Sequence, residues 1–412
     1  MNPLLAFHPT RAGAGGATGR RRWRPLLGVL LSVAGPALAA PFVPTDPDQV
    51  LERLPLAATD SKTRELQGLR RQLAERPDDL DLALRVARRN LEIGRTEADP
   101  RYYGYVQAAL APWWNQSPPP PEVLLLRAVL RQNRHDFDGA LADLRQVLAV
   151  QPRHPQAWLT QAVIQQVQGE PVEALRSCLA LRRLASSLLL STCLSGALGR
   201  NGQAEFAYAS LRRALENAPE AAIEDRLWAL TVLAETAEQR GDASAAETHF
   251  RDALALGRRD IYLLGAYADF LLDQNRPVDA RELLRDEQRA DSLLLRLALA
   301  ERRLDDPAWR RHAEVLEARF AAARQRGDGT HYATEARLKL DLRQRSAEAL
   351  DLARRNWAQG QREPQDARLL LEAALAAGRP DAAREVLDWL ARVKLEDRRL
   401  AELSQRLRES SS

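Results

Sequence analysis

Ala140, Ala174 and Ala207 stand 34 and then 33 residues apart, each just inside an apolar segment that follows a tight turn. That recurring interval limits the fold more than any other feature of the chain. A small residue once per unit lets two helices approach closely, and a unit of this length holds one helical hairpin and little else. The pattern is written three times between Pro121 and Ala221. Leu124, Ala128 and Arg131 lead through His135-Asp136-Phe137 to Ala140, Leu144 and Pro152. Trp158, Ala162 and Gln165 lead through Gly169 to Ala174, Cys178 and Ser186; Leu194, Ser195 and Leu198 lead through Gly202 to Ala207, Leu211, Ala214 and Pro219. A single hairpin cannot bury both of its faces, so hairpins stack, and added length adds repeats rather than separate cores. The two or three domains that 412 residues would otherwise suggest are therefore not expected.

The beat extends in both directions. Gly104 lies 36 residues before Ala140, and Ala246, Ala280, Ala313, Ala349 and Ala383 follow at intervals between 33 and 39. Ala313 belongs to an irregular unit whose second helix reaches Arg326. Glycine or asparagine is expected at each turn, where a left-handed residue closes the first helix. Helices are expected from Asp60 to Glu75 and from Leu80 to Ile93, the latter stopping at Gly94, with a partner from about Tyr102 to Ala111. The reading is all-α: about nine antiparallel hairpins over residues 79–391, preceded by an N-terminal segment with a capping helix over 40–78. A polar-faced capping helix and tail close the array over 392–412.

Residues 1–39 have a different character. They carry Arg11, Arg20, Arg21, Arg22 and Arg24 with no acid, then an apolar stretch from Leu26 to Val33, then Ala37-Leu38-Ala39. This is the arrangement of a cleavable export signal, with the mature chain starting at Ala40 in the periplasm. The apolar stretch is too short to span a bilayer, and no span is expected in the mature chain. The leader also explains the charge. The whole chain has a formal charge of +4, yet the residues after Ala39 hold 55 basic against 56 acidic side chains. A near-neutral mature chain argues against nucleic acid, whose backbone requires a basic face.

Trp158, Gly169 and Ala174 fall at the intervals of the tetratricopeptide repeat, as do Gly202, Ala207, Ala214 and Pro219. Gly241, Ala246, Phe250 and Ala253 continue the match, followed by Tyr267, Ala268, Leu271 and Ala280. The chain resembles that family over most of its mature length. Two departures stand out: Arg127 and Arg337 occupy positions where the family has leucine or glycine. The resemblance implies a right-handed superhelical α-solenoid whose first helices line a concave groove that receives a peptide or a partner helix. By that analogy the groove candidates are Gln132, Asn133, Gln166, Arg200, Glu235, Glu238, Tyr262, Asp269 and Asp273. Their mostly acidic middle would favour a partner with basic or amide groups.

Cys178 and Cys193 are the only cysteines. They lie about equally far from a turn near Ala185-Ser186, which would place them level on antiparallel helices. An oxidising compartment would join them, and the other reading is two buried thiols packing as small apolar residues. His135, Asp136 and Asp138 resemble metal ligands, but they sit where a hairpin turn is expected. Gly196, Gly199 and Gly202 imitate a phosphate loop without the strand that such a loop needs. No metal, cofactor or catalytic residue is expected. Two functions fit: a non-enzymatic scaffold or assembly factor that binds a protein segment, or an accessory subunit of an exopolysaccharide export or synthesis complex.

Overall fold

The computed structural model describes residues 61–325 and 331–410. The export signal expected over 1–39, its cleavage before Ala40 and most of the 40–78 segment lie outside the described residues. Contacts divide the chain into two units, Phe7–Gly68 and the remainder. The described part of the first unit is only the opening of helix α1 (Ser61–Glu75).

Among the described residues, nine hairpins follow in the second unit. They pair α2 (Leu80–Glu97) with α3 (Arg101–Ala109), extended by α4 (Ala111–Trp114), and then α5 (Pro121–Asn133) with α6 (Phe137–Val150). Next come α7 (Pro155–Val167) with α8 (Pro171–Ala180), and α9 (Ser187–Gly199) with α10 (Ala204–Glu216). The middle of the array pairs α11 (Ile223–Gln239) with α12 (Ala243–Ala255), and α13 (Ile261–Asp273) with α14 (Pro277–Leu284). The seventh hairpin is α15 (Asp291–Arg303) with α16 (Ala308–Gln325). The eighth is α17 (Tyr332–Arg337), which ends in a π-helical turn at Leu338–Leu342, with α18 (Ser346–Ala358). The ninth is α19 (Pro364–Ala376) with a 3₁₀ turn at Pro380–Ala383 that runs into α20 (Arg384–Val393), and α21 (Arg398–Ser410) closes the array.

The small-residue beat is where the helices meet. Ala140, Ala174, Ala207, Ala246, Ala280, Ala313, Ala349 and Ala383 are all fully buried. A methyl group there sets the distance between helices, and a longer side chain would overpack it. First helices are buried on nearly every side because each packs against its own partner and against the preceding hairpin; in α5, Val123 to Leu130 form an unbroken buried run. Second helices bury a single stripe and leave side chains such as Leu179, Phe206 and Val278 exposed.

Three local expectations need correction. Gly104 is exposed and open space surrounds it, so it does not take the small packing position of the first hairpin. Gly94 does not stop α2, which continues to Glu97 and ends on a left-handed Ala98. Gly94 is instead buried inside the helix, where a Cβ would lie 2.9 Å from Tyr102 Cβ. The third correction concerns the turns. Every hairpin closes its first helix with a positive-φ residue, but Ala98, His135, Asp305 and Gln344 serve as well as Asn275 and the glycines.

Those glycines answer to a second constraint. Gly169 has φ +70°, and a Cβ there would sit 2.6 Å from Trp389 Nε1 and 2.9 Å from Arg362 Cβ. At Gly202, with φ +68°, a Cβ would meet the Lys394 carbonyl oxygen at 2.7 Å. The ninth hairpin and α21 therefore return onto the turns of earlier hairpins. The Gln361 side chain lies 3.0 Å from the His135 ring, and Arg362 N–H donates to the Val167 carbonyl at 2.8 Å. The Trp389 indole donates to the Gly169 carbonyl at 3.1 Å, and Ala204 N–H donates to the Glu396 carboxylate at 3.1 Å.

Cys178 and Cys193 form a disulfide between α8 and α9, with Cα atoms 5.7 Å apart. It closes a loop of 15 residues, for which chain entropy gives about 3 kcal/mol. We expect the Cys178→Ser/Cys193→Ser variant to lose about that much in urea unfolding, and native protein unfolded without reductant to resist alkylation. Full alkylation of both thiols would refute the bond.

Candidate functional site

His135 and Asp136 are turn residues, whereas Asp138 lies in the first turn of α6. His135 takes the left-handed position, and Asp136 caps α6 by accepting from Gly139 N–H at 3.0 Å. Among the described residues, no group of three or more His, Cys, Asp or Glu side chains could hold a metal ion. No described helix is long and apolar enough to cross a membrane. Gly196, Gly199 and Gly202 lie along α9 and its closing turn.

Four of the nine groove candidates come together. Gln166 from α7, Arg200 at the end of α9, Glu235 from α11 and Tyr262 from α13 line one cavity of about 100 Å³, along with Trp228, Asp260 and Glu363. Arg200 is the link, donating to Gln166 Oε1 at 3.0 Å and to Glu363 Oε1 at 3.0 Å. The Tyr262 hydroxyl donates to Glu235. Burial pushes Glu235 above the usual carboxylate range, with Arg200 and the Tyr262 hydroxyl opposing only in part. Burial, reinforced by the Glu235 charge, also holds the Tyr262 phenol well above its ordinary value. For Arg200, burial would lower the pKa, but Glu363, Tyr262 and Glu235 outweigh it.

The other candidates lie outside this cavity. Glu238 and Asp273 are bridged by Arg399 of α21, with Arg399 2.5 Å from Asp273. Asp273 also accepts two bonds from Arg368 of α19, at 2.6 and 2.8 Å. Burial would raise Asp273, but Arg368 and Arg399 together hold it below its ordinary value. Asp269 pairs with Arg296 of α15, Nε to Oδ1 at 2.8 Å. Asn133 is exposed at the end of α5 and donates back to the Val129 carbonyl at 2.7 Å, while Gln132 beside it is half-buried. The acidity expected to favour a basic partner is thus met, at Glu238, Asp269 and Asp273, by the chain's own arginines. Sequence reasoning missed Trp228, Glu363, Arg368 and Arg399. A trace of the signal was present, since the first helices of the seventh and ninth hairpins carry Arg296 and Arg368, but not which acids they meet.

Two carboxyls, Glu238 and buried Asp366 in the first turn of α19, should govern pH dependence. Burial, reinforced by the charge of Glu363, pushes Asp366 up to about 7; burial, offset in part by Arg399, pushes Glu238 up to about 7. Each binds its proton more tightly in the folded chain than in the unfolded one. Their contribution to stability is therefore full below about pH 4 and is lost as pH rises through about 7. We expect the urea midpoint to fall between pH 5 and pH 8, and to fall less in Asp366→Asn; an equal fall in both proteins would refute the assignment to Asp366.

The fold defines the class of the protein: an α-solenoid of antiparallel helical hairpins. Compared with protein-family models and with curated protein sequences, the chain matches none. Among solved structures it is similar in fold to the APC/C hetero-tetramer Cut9-Hcn1, at 13% identity and a TM-score of 0.46, covering 80% of this chain and 63% of that one. It thus spans 63% of the length of that chain. A Rap protein complexed with competence and sporulation factor is similar at 14% identity and a TM-score of 0.43, covering 85% and 94%. A tetratricopeptide repeat protein from Parabacteroides merdae is similar at 14% identity and a TM-score of 0.34, covering 76% and 99%.

Proposed function

We propose that this chain is a non-enzymatic scaffold that binds a protein segment on the inner face of its first helices, after export to the periplasm. One observation carries the reading. From Gln166 to Tyr262, the first helices of four successive hairpins, with Arg200 capping α9, gather polar and charged side chains around a common cavity and bond them to one another across the hairpins. A solenoid produces such a surface because each repeat contributes the same face. The arginine-bearing leader and the Cys178–Cys193 disulfide support an oxidising, exported setting.

The test is photo-crosslinking in cells from half-exposed Gln239, at the cavity rim, and from exposed Asn133. Adducts from Gln239 to one exported protein support the scaffold and name its client. Adducts only to cytoplasmic proteins, or none, overturn it. The narrower role, an accessory to an exopolysaccharide export or synthesis complex, would give adducts to a synthase or a porin.

A further inference from the structure

We propose that the cavity between α7, α9, α11 and α13 receives an arginine side chain of the partner, with the adjoining peptide carbonyl bound by Gln166. The assignment rests on the scaffold reading and specifies what that face recognises.

Charge is the first argument. The cavity is lined by three carboxylates, Glu235, Glu363 and Asp260, and by one cation, Arg200. Arg200 is already held by Glu363 and Gln166, and Asp260 caps α13 through Leu263 N–H at 2.9 Å. Among the described bonds Glu235 is held only by the neutral Tyr262 hydroxyl, with the Arg200 charge acting on it without a described bond, so an arriving guanidinium finds a carboxylate with no ion pair among the described residues. Burial already disfavours the ionised form of Glu235, and a cation at that position would restore it. Trp228 lines the same cavity, and an indole face is the best aromatic surface for a guanidinium.

The second argument is a buried amide without a partner. Gln166 is 5% exposed, and its Nε2 has no hydrogen-bond acceptor among the described residues. Its orientation is fixed, because Oε1 is the atom that Arg200 contacts. The carboxamide rests against Gly196, where a Cβ would come within 2.8 Å of Oε1. A buried N–H donor left unpaired is costly, so the group calls for an acceptor such as a peptide carbonyl. Size agrees with this choice. At roughly 10–15 Å³ per water, about 100 Å³ holds close to the seven heavy atoms of an arginine side chain.

The test is isothermal titration of the full chain with acetyl-Ala-Arg-Ala-amide and with its citrulline counterpart, which keeps the shape and removes the charge. We expect the arginine peptide to bind at least about tenfold more tightly, as a charge-assisted bond implies. Glu235→Gln, which keeps an acceptor for Tyr262, should lose about that factor. The comparison of the two peptides on the unaltered protein stands even if the variant fails to fold. Equal affinities, or no binding of either peptide at millimolar concentration, would overturn the assignment. If crosslinks from Gln239 still name a client, that result removes the arginine pocket and leaves the scaffold; peptide binding without any client would do the reverse.

Discussion

Asp143→Ala is expected to destabilise the protein by about 3–5 kcal/mol, the cost of stranding a buried charge. Asp143 is 1% exposed and accepts two bonds from Arg127, at 2.7 and 2.9 Å, and it lies 2.8 Å from Arg131. Arg127 is itself 9% exposed and has no acid other than Asp143 among the partners described. Arg127 replaces the leucine or glycine of the repeat pattern, and the facing Asp143 makes the replacement tolerable. The apolar pair Arg127→Met/Asp143→Leu should therefore recover most of the loss, because it removes both desolvated charges together. Urea unfolding of the three proteins decides the matter. A double variant as unstable as Asp143→Ala would show that the packing, and not the charge, was at fault.

Trp389→Ala should cost about 3–5 kcal/mol, and Gly169→Ala about 2–4 kcal/mol. Trp389 is 6% exposed, stacks edge-on against Trp357 at 5.3 Å and donates to the Gly169 carbonyl. For Gly169 the cost combines a left-handed backbone, about 1–2 kcal/mol for a residue with a Cβ, with a clash on the indole. Both changes strike one contact, so their effects should not add. Once the indole is gone only the contact with Arg362 Cβ remains, and Gly169→Ala in the Trp389→Ala background should cost less than in the unaltered protein, the backbone share of about 1–2 kcal/mol plus that remaining contact. Full additivity would mean that the two residues do not meet.

The architecture was legible because repeat packing is local. Each small residue contacts a helix less than 40 positions away, so the interval survives in the sequence even where single repeats depart from the pattern. Gly104 shows the limit of counting: it keeps the interval but faces outward, since an interval does not say which side of a helix a residue occupies. The contacts that shape the inner surface were illegible for another reason. Arg399 reaches Glu238 across 161 positions, and Gln361 reaches His135 across 226. Such distances depend on small rotations accumulated over several hairpins, which no local pattern encodes. The acidic side chains of α11 and α13 could be read as inward-facing. That their countercharges come from α15, α19 and α21 could not.

The return of the ninth hairpin onto the earlier turns is the central structural claim. It is tested most directly by placing benzoylphenylalanine at half-buried Gln361 of the purified chain, irradiating, and mapping the intramolecular adduct by mass spectrometry. Adducts within residues 134–137, where His135 lies beside Gln361 and Phe137 beside Gly360, are the predicted result. Adducts confined to neighbours in the eighth and ninth hairpins would contradict it, and would leave Glu238 and Asp273 without the arginines that now hold them.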